Sequence, residues 1–166
     1  MHKFMEGWLL EPGAVGLDEY ARGRFMQSRD YWHHLKSWWA QKDQDNVLFL
    51  VYEHMQLDLE LMIRRIAEFI RIELDDQLLV ITLEHASLPF MLEHKDRFDD
   101  TIMVAFSEKR CLLPPGGDAS KVRAGKVGEH KQSLSPELIA ELDQIWHEEI
   151  EQTLGFKDYE ALIAAV

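Results

Sequence analysis

The spacing of apolar residues along the chain predicts a mostly helical protein. Apolar positions recur at helical intervals over Leu17–Met26 and again over Tyr31–Trp39. A third segment, Asp58–Ile72, carries an apolar stripe made of Leu59, Met62, Ile63, Ile66, Phe69 and Ile70. Because charged residues occupy most positions outside this stripe, the segment predicts an amphipathic helix that covers a sheet.

A further helix and a loop are predicted in the middle of the chain. Asp75–Asp76 supplies the acidic residues that suit the amino end of a helix, which we expect to run to His85. Pro89 then interrupts or restarts the helix within Ser87–Met91. From about 93 to 120 the apolar pattern gives way to charges and then to prolines and glycines, which predicts a long mobile loop or lid.

The last helix has clear signals at both ends. Ser135 is a favourable cap, and Pro136 suits the first helical position. The apolar stripe that follows continues to Leu154, and Gly155 is predicted to end the helix.

One segment predicts a strand. Asn46–Tyr52 is a continuous apolar run without alternation, which is typical of a strand covered on both faces in a parallel α/β sheet. A lone strand has no neighbour to take its backbone hydrogen bonds. We therefore expect most of the sheet to lie outside this chain.

Length and composition favour one acidic globular domain. The chain has 166 residues, 46% of them hydrophobic, and a net charge of −12; a domain of this size buries roughly 70% of its unfolded surface. The acidic balance argues against nucleic acid or an anionic membrane as partner. No apolar run approaches the roughly 20 residues of a membrane-spanning helix. A lone Cys111 fits a reducing compartment, so we predict a cytoplasmic protein.

Against this acidic background, the window from Lys109 to Lys131 is basic. It carries a charge of +4, whereas the rest of the chain carries −16. Gly125 and Gly128 permit close approach of the backbone to a ligand, and Arg123 offers a planar fork of donors suited to phosphate. The window therefore predicts an anion site, and the alternative is a flexible solvated loop.

The predicted helix at 31–39 is unusually aromatic. Tyr31, Trp38 and Trp39 lie in it together with a pair of histidines, His33 and His34. These residues either form part of the core or line a pocket for an apolar substrate.

Four stretches in order resemble the C-terminal half of the cytosolic-type sulfotransferases, which transfer a sulfuryl group from 3′-phosphoadenylyl sulfate (PAPS). Tyr31–Trp39 is similar to the family's tryptophan and histidine helix, and Val47–Met55 is similar to its strand that ends in Tyr-Glu-Asp-Met. His85–Met91 resembles His-Thr-Ser-Phe-x-x-Met, and Arg123–Lys131 resembles Arg-Lys-Gly-x-x-Gly-Asp-Trp-Lys. Single departures occur within the stretches at Tyr31, His54, Ala86, Leu88, Ala124, Glu129 and His130.

The resemblance implies a nucleotide site. It places Arg123 and Gly125 at the 3′-phosphate and Ala124 where the family has a lysine, with Lys121 and Lys126 as substitutes for that lysine. It also implies that the adenine is contacted by Tyr52, Ala86, Ser87 and Leu88. Alternatives for two of them are a strand-end tyrosine with a solvated hydroxyl and a serine that caps a helix. The implied co-substrate is PAPS, without a metal, and the implied acceptor is a small molecule with a hydroxyl or an amine.

The implied fold is the C-terminal portion of a P-loop-like three-layer α/β/α sulfotransferase domain. The family holds the 5′-phosphosulfate in a glycine-lysine loop and activates the acceptor with a histidine. The chain contains no G-x-x-x-x-G-K-[ST] sequence, and its nearest candidate, Gly125-Lys126, is followed by Val127. We therefore assign no catalytic residue and interpret 1–166 as a single, N-terminally truncated domain. The scattered histidines also predict no metal site.

Three functions remain open from the sequence. The chain is part of a PAPS-dependent sulfotransferase, a non-catalytic remnant that at most binds adenosine 3′,5′-bisphosphate, or a helical acidic protein that binds a basic partner. The family's short dimer motif after the glycine loop is not matched after Lys131, so the sequence predicts no particular oligomeric state.

Overall fold

Helices provide the regular secondary structure of the residues that the structure describes. The computed structural model describes residues 2–6, 9–115 and 133–166. The helices are α1 His2–Glu6, α2 Leu17–Ala21, α3 Asp30–Trp39, α4 Tyr52–Leu57, α5 Leu59–Phe69, α6 Asp76–His85, α7 Leu88–Glu93, α8 Thr101–Arg110, α9 Pro136–Trp146, α10 Gln152–Leu154 and α11 Tyr159–Ile163. A π-helical turn at Arg22–Met26 continues α2, another at His147–Glu151 joins α9 to α10, and Lys95–Phe98 forms a 3₁₀ turn.

The predicted helices are confirmed, and several begin as the sequence indicates. The side chain of Asp58 accepts a hydrogen bond from the N–H of Leu61 at the start of α5. Ser135 caps α9 in the same way, and Gly155, with a φ of +82°, follows the end of α10. These caps satisfy backbone groups that would otherwise lack a partner.

The stripe predicted for α5 is only partly buried. Met62, Ile63 and Ala67 are buried. Phe69 and Ile70 are 37% and 53% exposed, however. The part of the chain described by the structure contains no sheet beneath this helix, so its apolar stripe is covered over only part of its length.

The predicted strand at 46–52 is not observed. Residues 47–51 form neither helix nor strand, and Tyr52 is the first residue of α4. Val51 has the extended backbone that a strand requires, with φ −114° and ψ 141°. A strand also needs a neighbour, and none of the residues in the described ranges pairs with this segment.

The predicted loop at 93–120 is wrong up to residue 110. Lys95–Phe98 forms the 3₁₀ turn, and α8 occupies Thr101–Arg110. The side chain of Asp100 caps α8 by accepting a hydrogen bond from the N–H of Met103 at 3.0 Å. Ile102, in contrast, is 79% exposed. Because the apolar residues of α8 form no single stripe, periodicity did not reveal this helix. Residues 116–120 lie outside the described residues.

The described chain divides into two compact units. The first combines Met1–Arg24 with His85–Leu134, and the second combines Phe25–Glu84 with Ser135–Val166. The expectation of one domain over 1–166 therefore stays a prediction. None of the described helices is both long enough and apolar enough to span a membrane.

The first unit packs its amino-terminal helices through polar contacts. Nε2 of His2 lies 2.7 Å from the carbonyl oxygen of Val15, and the imidazole contacts the ring of Tyr20 edge to face. The N–H of Gly13 donates to Glu6 at 2.8 Å. These contacts hold α1 and α2 together, although both helices are too short to be stable alone.

The second unit has an aromatic core between α3 and the helices after Ser135. Its buried centre consists of Trp32, Ile145, Ile150 and Leu162. Trp39 contacts Phe156 at a ring distance of 4.9 Å, and the indole N–H of Trp146 donates to the carbonyl of Phe156 at 2.9 Å. Burial of such rings dominates the energetics of a small core.

An ionic cluster lies beside this core. Arg29 donates to Glu148 and Glu149 at 2.8 Å each, and Nζ of Lys36 lies 2.5 Å from Glu149. His33 Nε2 is 3.6 Å from the same carboxylate. Lys36 and then Arg29 hold the pKa of Glu149 at about 2, below its usual 4.5. The cluster joins the amino-terminal part of α3 to the π-helical turn that follows α9.

The first prediction concerns this cluster. Glu149→Gln keeps the shape of the side chain and removes its charge, so we expect the free energy of unfolding at pH 7 to fall by about 1–2 kcal/mol. Because the pKa of Glu149 is depressed in the folded state, its stabilisation is complete above about pH 4.5 and is lost as the pH falls towards 2. Urea unfolding at several pH values should therefore show that the free energies of unfolding of the wild type and Glu149→Gln approach each other as the pH falls over that range.

Glu151→Gln is the matched control. Glu151 pairs with His147 at 2.6 Å on the surface, where the two side chains are 40% and 50% exposed. We expect this variant to differ from the wild type by less than about 0.5 kcal/mol. Equal losses in both variants would contradict a special role for Glu149.

Candidate functional site

The structure describes four of the seven predicted nucleotide-binding residues. Ala86, Ser87 and Leu88 lie together in the first unit, where α6 gives way to α7, and all three are half-buried. Tyr52 belongs to the second unit. The predicted phosphate-binding positions 123–125 lie outside the described residues.

Ser87 has an observed structural role. Its hydroxyl accepts a hydrogen bond from the N–H of Phe90 at 3.3 Å and so caps α7. Pro89 occupies the first turn of this helix, where the missing N–H has no intrahelical partner to lose. The capping alternative is thus correct, and contact of Ser87 with adenine stays a prediction.

Three rings pack next to this cap. The imidazole of His85 stacks on Phe90 with a centroid distance of 4.3 Å and an interplanar angle of 26°. His94 lies against Phe90 at 4.3 Å with an angle of 59°. The sequence motif had drawn attention to 86–88 and missed this stack. The four-residue spacing of Phe90 and His94 is the signal that helical geometry could have offered, whereas His85 belongs to the preceding helix.

Tyr52 lies at the start of α4 with 53% of its surface exposed. Its hydroxyl accepts a hydrogen bond from Nε2 of Gln56 at 2.7 Å. The exposed ring leaves room for contact with a base, and that contact stays a prediction. The alternative of a strand-end tyrosine is not observed, because Tyr52 is the first residue of α4.

The residue after Tyr52 has a different role. Glu53 accepts a hydrogen bond from the hydroxyl of Tyr159 at 3.1 Å, which ties α4 to α11. Burial, and then the neighbouring carboxylate of Glu53, raises the pKa of Tyr159 to about 12. A phenol with such a pKa stays protonated at neutral pH, so Tyr159 acts as a hydrogen-bond donor that positions α4.

An open groove runs along one face of α3 in the same unit. It has a volume of about 390 Å³ and is lined by Tyr31, His34, Leu35, Trp38 and residues 46–50. Tyr31 and Trp38 are about half exposed. The rings of the aromatic helix lie in two settings, because Trp32 and Trp39 pack in the core whereas Tyr31 and Trp38 line the groove. Binding of an apolar substrate in the groove stays a prediction.

The described residues offer no evident place for a metal. Within the described ranges, no three histidine, cysteine, aspartate or glutamate side chains are arranged to hold an ion. The described part of the predicted site consists of a capped helix start, a ring stack and an exposed tyrosine.

Comparison with known proteins places these motifs in a family. A family model described as "Sulfotransferase domain" matches residues 14–154. The chain is 27% identical to Sulfotransferase 1B1 of Canis lupus familiaris over 87% of its own length and 47% of that protein. It is 31% identical to Luciferin sulfotransferase of Photinus pyralis, over 69% of this chain and 30% of that protein.

A further relative is Sulfotransferase 2B1 of Mus musculus, which is 31% identical over 87% of this chain and 41% of that protein. The chain spans at most about half the length of these relatives. No solved structure matches the chain significantly. Because the family model covers most of the sequence, including the three described stretches that carry the resemblance, the chain belongs to the sulfotransferase domain family.

Proposed function

We propose that this chain supplies the nucleotide-recognising part of a sulfotransferase that uses PAPS as its sulfuryl donor and a small hydroxyl or amine compound as acceptor. The observation that carries the proposal is the ordered set of motifs at 47–55, 85–91 and 123–131, which lie within the family match. The corresponding fold is the C-terminal portion of the three-layer α/β/α domain. It agrees with the helical character of the described residues and leaves the sheet to be completed beside residues 47–51.

The proposed phosphate contacts are Arg123 and Gly125. Their surroundings support the proposal, because Lys109–Lys131 carries +4 in a chain of net charge −12. A guanidinium can bind a phosphate through two parallel hydrogen bonds, and a glycine lets the backbone approach. Ala124 adds no charge, so Lys121 and Lys126 are the proposed substitutes.

The proposed adenine contacts are Tyr52 and the segment Ala86–Leu88. The segment is half-buried at the start of α7 and adjoins the ring of Phe90 through the Ser87 cap. An aliphatic side chain at 88 offers apolar contact to a base face, and the exposed ring of Tyr52 offers stacking. Leu88 has no ring to stack on the base. We therefore expect adenine to be recognised less tightly than it would be with an aromatic side chain at position 88.

Recognition of the donor is separate from the transfer of its sulfuryl group. In-line transfer depends on donors placed around the transferred group, where charge develops between nucleophile and leaving group. The 166-residue sequence has no glycine-lysine loop to supply them. We therefore propose binding of the bisphosphate moiety for this chain, with no catalytic residue assigned in it.

The second prediction tests the phosphate contact. We expect Arg123→Ala to weaken binding of adenosine 3′,5′-bisphosphate at least about tenfold, or roughly 1.4 kcal/mol, in isothermal titration calorimetry. Arg64→Ala is the control, because Arg64 pairs only with Glu60 within α5 at 2.7 Å among its described contacts. It should leave the affinity unchanged. Equal affinity in wild type and Arg123→Ala would refute the assigned phosphate site.

The third prediction separates the two roles of Ser87. Ser87→Ala removes the cap and should lower the free energy of unfolding by about 1 kcal/mol, whereas Ser87→Asp keeps a capping oxygen and should be close to wild type. If the hydroxyl also contacts the base, both variants should bind the bisphosphate more weakly in calorimetry. Full affinity in the aspartate variant would leave Ser87 with the cap alone.

The fourth prediction concerns turnover. We expect the 166-residue chain to transfer no sulfuryl group from PAPS to a phenol or an alcohol, measured by release of adenosine 3′,5′-bisphosphate over hours. The reason is the missing set of donors around the sulfuryl group. Turnover above the buffer blank that is abolished in Arg123→Ala would show that this chain is itself catalytic.

A further inference from the structure

The segment Ala86–Leu88 presents mainly apolar side chains to a ligand. Ala86 ends in a methyl group, and Leu88 carries an aliphatic side chain. The hydroxyl of Ser87 accepts a hydrogen bond from the N–H of Phe90 at 3.3 Å. The one hydroxyl of the segment is therefore held at the start of α7, where it caps the helix.

The main chain around this cap is used as well. Pro89 has no N–H, and the N–H of Phe90 donates to the Ser87 hydroxyl. The carbonyl of Ser87 accepts a hydrogen bond from the N–H of Met91 at 3.1 Å. The polar groups next to the proposed base contact are thus largely engaged in the first turn of α7.

The ring of Phe90 is engaged by its neighbours. His85 stacks on it with centroids 4.3 Å apart and planes inclined by 26°, and His94 lies against it at 4.3 Å. Leu88, in contrast, is half-buried and keeps part of its aliphatic surface accessible. In this part of the chain, a base therefore has an aliphatic side chain to contact rather than an open aromatic face.

Tyr52, which belongs to the second unit, offers the face of its ring. Its hydroxyl accepts a hydrogen bond from Nε2 of Gln56 at 2.7 Å, and 53% of its surface is exposed. Stacking on an aromatic ring tolerates any base, because every base has a π face. A base that stacks on Tyr52 therefore gains affinity without being selected.

Purines differ in the groups on their edges. Adenine carries an amino donor at C6, whereas guanine and hypoxanthine carry a carbonyl acceptor at that position. A site that hydrogen-bonds such a group rejects the wrong ligand strongly, but an apolar site discriminates weakly between ligands of similar shape. The contacts that Leu88 and the ring of Tyr52 offer are of the second kind.

We propose that this chain binds the 3′,5′-bisphosphates of adenosine, inosine and guanosine with similar affinity. The inference rests on the proposed nucleotide site and adds that the phosphates select the ligand, whereas the base contributes apolar contact and stacking. The window Lys109–Lys131, with its charge of +4, attracts the two phosphates whatever the base is.

The test measures the binding of four ligands to the full 166-residue chain by isothermal titration calorimetry. Three ligands are the bisphosphates of adenosine, inosine and guanosine, and the fourth is the abasic 1,2-dideoxyribose 3,5-bisphosphate. We expect the affinities of the three nucleotides to agree within about fivefold. The abasic ligand should bind at least about fivefold more weakly than any of them, because it loses the contact of the base.

A pair of protein variants localises the base contact. Leu88→Phe adds a ring that stacks on any base, so it should tighten the binding of all three nucleotides by at least about threefold and leave the abasic ligand unchanged. Ile102→Phe also adds a ring, at a residue of α8 that is 79% exposed, and it should leave all four affinities unchanged. If Leu88→Phe fails to fold, the comparison of the four ligands on the unchanged chain still decides the matter.

Three results would overturn the proposal. The first is a preference for the adenosine ligand of more than about fivefold that persists while Arg123→Ala abolishes binding, which would leave the proposed function intact and show that the base edge is read. The second is absence of binding by every nucleotide, which would refute the proposed function as well. The third is an abasic ligand that binds as tightly as the nucleotides, which would show that the base is not contacted.

Discussion

The contact between α3 and the helices after Ser135 holds the second unit together. Trp32 is buried against Ile145, Ile150 and Leu162, and another face of α3 presents the cations that bind Glu149. Apolar burial supplies most of the stabilisation, but it is not directional. The ion pairs of Glu149 are directional. Because this carboxylate contacts cations from different turns of α3, it fixes the rotation of that helix and its position along the C-terminal helices.

The residue before α3 combines a left-handed backbone with this ionic contact. Arg29 has a φ of +55°, a left-handed conformation that costs a residue with a side chain about 1–2 kcal/mol. The same residue donates to two neighbouring carboxylates, Glu148 and Glu149. The π-helical turn at His147–Glu151 is the local geometry in which these consecutive side chains are presented to one guanidinium. Arg29 thus links the start of α3 to an irregular turn 120 residues away along the chain.

Local signals in the sequence predicted the helices well. The cap at Ser135 was predicted because a capping side chain bonds to an amide only three residues later. The structure adds the same kind of cap at Asp58. The helix α8 has such a cap at Asp100, but Ser107 is its only buried residue, so no apolar stripe marked it. The ionic cluster could not be predicted, since the stripe of Arg29, His33 and Lys36 indicates a basic face without naming its partner.

In the candidate site too, local features were predictable from the sequence and long-range contacts were not. Ser87 was recognised both as a motif residue and as a cap, and the cap is observed because it depends on local geometry. The contact between Glu53, the neighbour of Tyr52, and Tyr159 joins residues that are 106 positions apart, and periodicity and spacing do not encode such contacts. Comparison with relatives supplies the family but leaves these positions as proposals, since the chain spans only about half of Sulfotransferase 1B1.

The segment before Tyr52 connects the fold to the site. An apolar pentapeptide such as Val47–Val51 has a strong preference for a sheet, but a strand exists only when a neighbour supplies its hydrogen bonds. Sequence therefore predicted the strand from side chains alone, and the structure lacks it because the described residues provide no neighbour. Tyr52 directly follows this segment and begins α4, which contacts α11 through Glu53 and Tyr159 without any strand pairing at residues 47–51 within the described ranges. The position of Tyr52 therefore follows from local helix formation, whereas the strand before it needs a neighbour.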